Sequence, residues 1–306
     1  MGDSTSAADV ASDEGTPPFS SPSTVADNML IVRATSMNVM LLTGIEGNVF
    51  HLDSLAFDGG HLDGVPQARK KIPLGTIDVL MTNPPFGTDI KVNDPVVLDR
   101  YRHGVAQPWT RDRTTGEITV SPNSHGIAAM TPEQLFVQRS MEWLRPGGRL
   151  GIVLPNDILS NPGPIDEAIR RWILEHCWVL ASIELPMQTF VAEVGVNIII
   201  SLLFLKRKTD EEVRAGLLGA TQDYPIFMAI AEQVGFERRG NTVYQRTPDG
   251  EKIYEEQEET EWVRTNGVRT PRTLHRRVAK VDNDLPEIAR RYRERYPEPG
   301  IPRGRE

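Results

Sequence analysis

The sequence predicts an α/β fold, and three observations carry that expectation. Apolar runs such as Ile77-Asp78-Val79-Leu80-Met81 and Leu150 to Leu154 have the length of buried strands. Between them lie stretches of helical period with their own start and stop residues. The two kinds alternate from Asn28 to Lys208, which argues for a mostly parallel sheet covered by helices on both faces.

In chain order, residues 1–27 are Ser, Thr, Ala, Asp, Gly and Pro with few large apolar side chains, a composition expected of a disordered tail. From Asn28, Met29, Leu30, Val32, Met37, Met40 and Leu41 recur at helical spacing, with Gly44 as the stop. A short strand is expected over Asn48 to Asp53 and a buried one over Ile77 to Met81, ending at Asn83-Pro84-Pro85. Gly87 to Met130, 44 residues with little periodicity, reads as an insertion over 88–130: a binding loop, a lid or a disordered stretch. Thr131-Pro132-Glu133-Gln134 has the grammar of a helix start, and Pro146-Gly147-Gly148 that of its end. A strand (Leu150 to Leu154), a helix (Ile165 to His176) and strands at Val179 to Leu185 and Val196 to Leu205 follow. Beyond 208 the pattern weakens into a charged extension over 209–306, expected to be mostly helical or irregular, with an amphipathic helix near Leu285 to Tyr296. Asp249 to Glu261, with seven acids, reads as a solvated segment.

Composition narrows the functional classes. The chain has 306 residues, 39% hydrophobic, so a sizeable core needs neither disulfides nor metal. With 34 Lys and Arg against 42 Asp and Glu, the net charge of −8 excludes a uniformly basic nucleic-acid coat. Basic character is local: Arg69-Lys70-Lys71, Lys206-Arg207-Lys208, and a C-terminal stretch from Trp262 with 12 Lys and Arg against 6 acids. Each could touch phosphates, and each has a bland alternative as a solvated flank or helix face. The single cysteine, Cys177, is expected to be packing, and the scattered histidines offer no ligand pair, so no metal site is expected. No apolar run reaches the roughly 20 residues of a membrane span, and no secretory signal is visible, so the expected location is cytoplasmic.

The sharpest word in the chain is Asn83-Pro84-Pro85-Phe86. Four specified residues at ordinary usage arise by chance in a chain of this length with a probability of roughly 0.2%. The word also falls beyond the carboxyl end of a strand, where open α/β sheets bind their ligands. The bland alternative is a proline-stiffened turn.

These residues resemble the (Asn/Asp)-Pro-Pro-(Tyr/Phe) motif of S-adenosylmethionine-dependent amino methyltransferases. The segments Gly44-Ile45, Gly47-Asn48, His51 to Leu55, Ser140 to Arg149, Ile152 to Asn156 and Glu184-Leu185-Pro186 extend the match. Taken together, 28–208 resembles the adenine-N6 methylase domain of type I restriction-modification modification subunits. The resemblance implies a Rossmann-like methyltransferase sheet, S-adenosylmethionine as cofactor, DNA as substrate, and a specificity or restriction subunit as partner. It implies catalytic roles for Asn83, Pro84, Pro85 and Phe86, and for Asp53 acceptance of the amino group of the cofactor's adenine. An exocyclic amine conjugated to a ring is a poor nucleophile. Two acceptors aimed at its hydrogens, the Asn83 side-chain oxygen and the Pro84 carbonyl, favour a tetrahedral nitrogen whose lone pair can meet the methyl group. The prolines fix that geometry in advance, and Phe86 stacks on a base that has left the duplex.

The family's glycine loop, Asp/Pro-x-x-x-Gly-x-Gly, has no match in residues 1–47. The sheet is therefore expected to be N-terminally incomplete, with a separate N-terminal methylase half as a possible partner. Two rivals stay open on the sequence alone: a non-catalytic interaction module derived from such a methylase, and a methyltransferase acting on a protein glutamine or on RNA, where a planar amine is held in the same way.

Overall fold

The computed structural model describes residues 36–38, 40–41, 48–87, 89–106, 109–112, 114–115, 118–120, 127–190, 198–217, 224–265 and 268–295. They fall into two compact units, one within 1–184 and 198–229, the other within 185–197 and 230–297. The expected tail at 1–27 lies outside the described residues. So does most of the helix expected from Asn28, of which 36–38 and 40–41 are helical.

The first unit is built on a five-stranded sheet in the order β1-β4-β6-β5-β7. Its strands are β1 (Ile77–Thr82), β4 (Leu144–Pro155), β5 (Cys177–Leu185), β6 (Ile200–Arg207) and β7 (Phe227–Ile230). β1 runs parallel to β4, but β6 pairs antiparallel to β4, from Arg149↔Lys206 to Pro155↔Ile200. The sheet is thus mixed, with β6 reversed against β4, and the α/β class holds. Apolar runs mark a strand as buried on both faces without giving its direction.

The central helix is α3 (Pro132–Trp143). Thr131 caps it in an extended conformation, Pro132 takes the first position, and the Gln134 side chain accepts the Thr131 amide at 3.2 Å. Both its apolar and its polar residues are buried, including Leu135, Phe136, Gln138 and Arg139. The chain then passes straight into β4 at Leu144. Pro146-Gly147-Gly148, expected as a stop, sits inside the strand where the register with β1 shifts between Ile77 and Val79. Gly147 has φ of 79°, and a Cβ on Gly148 would lie 3.0 Å from the Ile77 carbonyl, so the irregularity needs glycine at both places. After the short α4 (Asn156–Ser160), α5 (Pro164–His176) buries Ala168, Ile169 and Ile173 at helical spacing against the core, and carries Asp166 and Glu167 in its first turn.

Two expectations in this unit change. The strand expected at Asn48 to Asp53 is irregular, and its place is taken by a turn packed on α1 (Val65–Lys71) through Leu52, Phe57, Val65 and Ala68. The 88–130 stretch has structure of its own: α2 (Pro95–Tyr101), capped by Asp94, and the short hairpin β2 (Trp109–Arg111) with β3 (Ile118–Val120). Val92, Val97, Leu98, Tyr101 and Met130 join the main core. Their spacing is too broken by polar residues to have signalled this.

α6 (Asp210–Leu217) follows β6. The second unit is dominated by a hairpin of β8 (Tyr254–Thr265) and β9 (Val268–Ala279). The acidic run expected as a solvated segment is therefore largely strand, and the C-terminal region is not only helical or irregular. Its acids face the basic strand: Glu256↔Arg277, Glu258↔His275 and Glu261↔Arg272 are direct partners, with a 3.2 Å ion pair from Arg276 to Glu259. Cross-strand charge pairs stabilise a ladder that has little apolar content. α7 (Leu285–Arg295) matches the expected amphipathic helix, and Glu287 pairs with both Arg290 and Arg291 on its surface.

Candidate active site

β1 ends at Thr82, level with Ile152 of β4, and the chain leaves the sheet at Asn83. Asn83 is exposed, Pro84 is buried, and Pro85 and Phe86 are half-buried. The corner is therefore rooted by proline while its amide faces outward, as an amine-holding group requires. Gly87 follows with φ of 144°, a conformation that L side chains rarely adopt.

Asp53 lies in the turn that replaces the expected strand. Its Oδ1 accepts the Leu55 amide at 2.9 Å and the Ala56 amide at 3.3 Å. Burial pushes its carboxyl up to about 6; the two amides and the Arg139 guanidinium oppose that shift and the charge of Asp94 adds to it. Asp53 thus has a turn-holding role, and the hydrogen bonds that serve it fall on one carboxyl oxygen.

The sequence reading missed the groups that hold this turn and the corner. Arg139, 1% exposed in the middle of α3, donates to the Leu55 carbonyl and to the Tyr101 hydroxyl, each at 3.0 Å, and pairs with Glu142 at 2.7 Å. Tyr101 in turn donates to the same carbonyl at 2.8 Å. Glu133, 6% exposed in the first turn of α3, is pushed up to about 7 by burial; the Gly87 amide at the end of the corner works against this, favouring the charged form, and the charge of Asp166 reinforces it. At the same end of the sheet Asn156 donates to Glu184 Oε2 at 2.7 Å and accepts from the Ser201 hydroxyl at 2.6 Å, tying the ends of β4, β5 and β6. Glu133 had read only as helix grammar, and Arg139 had been given no role. An arginine flanked by apolar residues on a helix was the available signal.

Part of the Lys206-Arg207-Lys208 cluster is used internally. Arg207 donates to the Met141 and Leu144 carbonyls, while Lys208 is buried, donating to the Leu174 carbonyl at 2.6 Å over the Trp178 ring. Lys71 donates to Asn48. A phosphate-binding role for Lys208 is accordingly replaced by a packing one. Among the described residues no group of three His, Cys, Asp or Glu side chains converges as a metal site, and no helix is long and apolar enough to cross a membrane.

A mixed α/β sheet whose first strand ends at an exposed Asn83 ahead of a buried proline is the arrangement that the resemblance to amino methyltransferases implies. The family model described as N-6 DNA Methylase matches residues 26–242, and the chain belongs to that family. Its curated relatives include the StySPI type I restriction enzyme methylase subunit of Salmonella potsdam, 28% identical over 171 residues, which are 55% of this chain and 25% of that protein. The StySJI methylase subunit of Salmonella typhimurium is 25% identical over 240 residues, 75% of this chain and 37% of the relative. The chain thus spans between 25% and 37% of the length of these relatives. The crystallised EcoKI M protein aligns at 22% identity with a TM-score of 0.35, over 64% of this chain and 31% of that one.

The family implies S-adenosylmethionine. The residues fit it in part: the Asp53 turn uses Oδ1 and leaves Oδ2 for a planar amine such as that of adenine. The methionine portion has no matching glycine loop in residues 1–47.

Proposed function

We propose that this chain forms the amine-holding part of a DNA adenine-N6 methyltransferase of the type I modification-subunit kind. The observation that carries the reading is the corner itself: Pro84 buried, Asn83 exposed, at the carboxyl end of β1. The Asn83 side-chain oxygen and the Pro84 carbonyl accept from the adenine amino group, drawing its lone pair out of conjugation. Phe86 stacks on the flipped base, a contact worth about 1–3 kcal/mol in stacking sites. S-adenosylmethionine, when bound, supplies the methyl group, and Asp53 Oδ2 accepts from its adenine amine. Rate enhancement comes from positioning, since the reacting atoms need alignment and not a covalent enzyme intermediate. DNA, a specificity or restriction subunit, and a separate N-terminal methylase half are the partners this reading names. It also places the protein in the cytoplasm, where chromosomal DNA is reached.

The test is the host chromosome. Replacing the native allele by Asn83→Ala removes N6-methyladenine from one recognition sequence in single-molecule sequencing, while protein abundance is unchanged. An unaltered methylome overturns the assignment. Methyl incorporation into RNA or protein glutamine would indicate a second reading, in which the corner holds a different planar amine.

A further inference from the structure

We infer that Arg139 and Tyr101 are positioning residues for Asp53: they grip the Leu55 carbonyl while Asp53 grips the Ala56 amide of the same peptide and the Leu55 amide before it, so the Leu55–Ala56 peptide is held at both ends and the carboxylate is presented in a fixed direction. The inference rests on the reading of Asp53 as the acceptor for the cofactor's adenine amine.

Each contact comes from a different part of the chain. Tyr101 is the last residue of α2 and fully buried, and its hydroxyl reaches Leu55 O at 2.8 Å across 46 positions. Arg139 reaches the same oxygen at 3.0 Å across 84 positions and meets the Tyr101 hydroxyl at 3.0 Å. The carbonyl thus has both its acceptor sites filled, and the hydroxyl is fixed as donor to Leu55 and acceptor from Arg139. A buried guanidinium with Glu142 as its anionic partner, packed against the Tyr101 and Trp143 rings, has little freedom to turn.

The arrangement gives the 88–130 stretch a task. Unpaired peptide groups in a turn are soft, and Asp53 to Ala56 is not a strand, so its direction depends on what clamps it. α2 supplies one clamp and α3 the other. The charged groups acting on Asp53 are Arg139 from α3 and Asp94 at the cap of α2, and they have opposite signs. Arg139, with the two amides, therefore also favours the charged carboxylate, the better acceptor for an amine, against the burial that raises it.

Tyr101→Phe removes only the hydroxyl and leaves the ring in the core. Hydrogen exchange on the full-length chain is expected to show the Leu55 and Ala56 amides exchanging at least about tenfold faster, with amides of β4 unchanged. Arg139→Met is expected to raise the midpoint at which those two amides follow Asp53 in a proton-nitrogen titration, and Arg139→Lys to restore part of it. S-adenosylhomocysteine is the affinity probe, and Tyr101→Phe is expected to weaken it about three- to tenfold. Unchanged exchange and midpoint in both variants overturns the clamp. Equal affinity of the wild type and Asp53→Asn, or no saturable binding by the wild type, overturns the underlying role of Asp53, while exchange still decides the clamp.

Discussion

The Asn156 side-chain amide donates to Glu184 Oε2 across 2.7 Å, joining the carboxyl ends of β4 and β5 at the end of the sheet where Asn83 emerges. With Ser201 on its other side, Asn156 is satisfied by two strands, through residues 28 and 45 positions away. Asn156→Ala strands the buried Ser201 hydroxyl and removes a charge-assisted bond. The expected loss is about 2 kcal/mol of folding free energy, read as a lower urea midpoint with unchanged slope.

Asn83→Ala behaves differently. The residue is exposed and follows a strand, so folding stability is expected to change by less than about 0.5 kcal/mol. Methyl transfer in the native complex is expected to fall by at least about a hundredfold, the scale for loss of one preorganised polar group. Matching melting curves together with lost activity separate this role from a structural one.

Glu133 makes the fold sensitive to pH. Its carboxyl is raised from 4.5 to about 7, so its contribution to stability is complete below about 4.5 and is lost as pH climbs through 7. Integrated over that window the loss is on the order of 3 kcal/mol. Glu133→Gln keeps an acceptor for Gly87 and cannot ionise, so it is expected to be the more stable protein at pH 8 and to lose that advantage at pH 4.5. Parallel stability profiles for the two proteins over this range would exclude the effect.

Cys177 is fully buried, with its thiol against the Met141 sulfur at 3.3 Å, and burial pushes it up to about 12. At pH 8 the native chain is expected to resist an aromatic disulfide reagent for hours and to react stoichiometrically once unfolded in guanidinium.

What could be read in advance follows from how local the cause is. Ile77 to Met81, Thr131 to Trp143 and Ile165 to His176 carry their own period or start signals, and the structure places elements there, although α3 ends ahead of the Pro146-Gly147-Gly148 stop. The Asn83 corner was legible because four adjacent residues spell it. The direction of β6 was not, because antiparallel pairing with β4 depends on how the chain between Leu185 and Ile200 returns. The β8–β9 hairpin was hidden because acids at 255–261 suit water as well as a basic neighbouring strand, and only the partner decides. Arg139 was missed for a related reason: a buried cation is defined by the carbonyl 84 positions away that receives it.

α3 meets the Leu55 carbonyl through Arg139, the Val105 amide through Gln138 and α5 through Gln134, each from a different point around its axis. Inserting or deleting one residue between Gln134 and Arg139 would swing the later contacts by about 100° and slide them about 1.5 Å relative to the first. Descendants of this gene can exchange side chains along that segment but cannot change its count, so its length should be the most slowly drifting quantity in the protein.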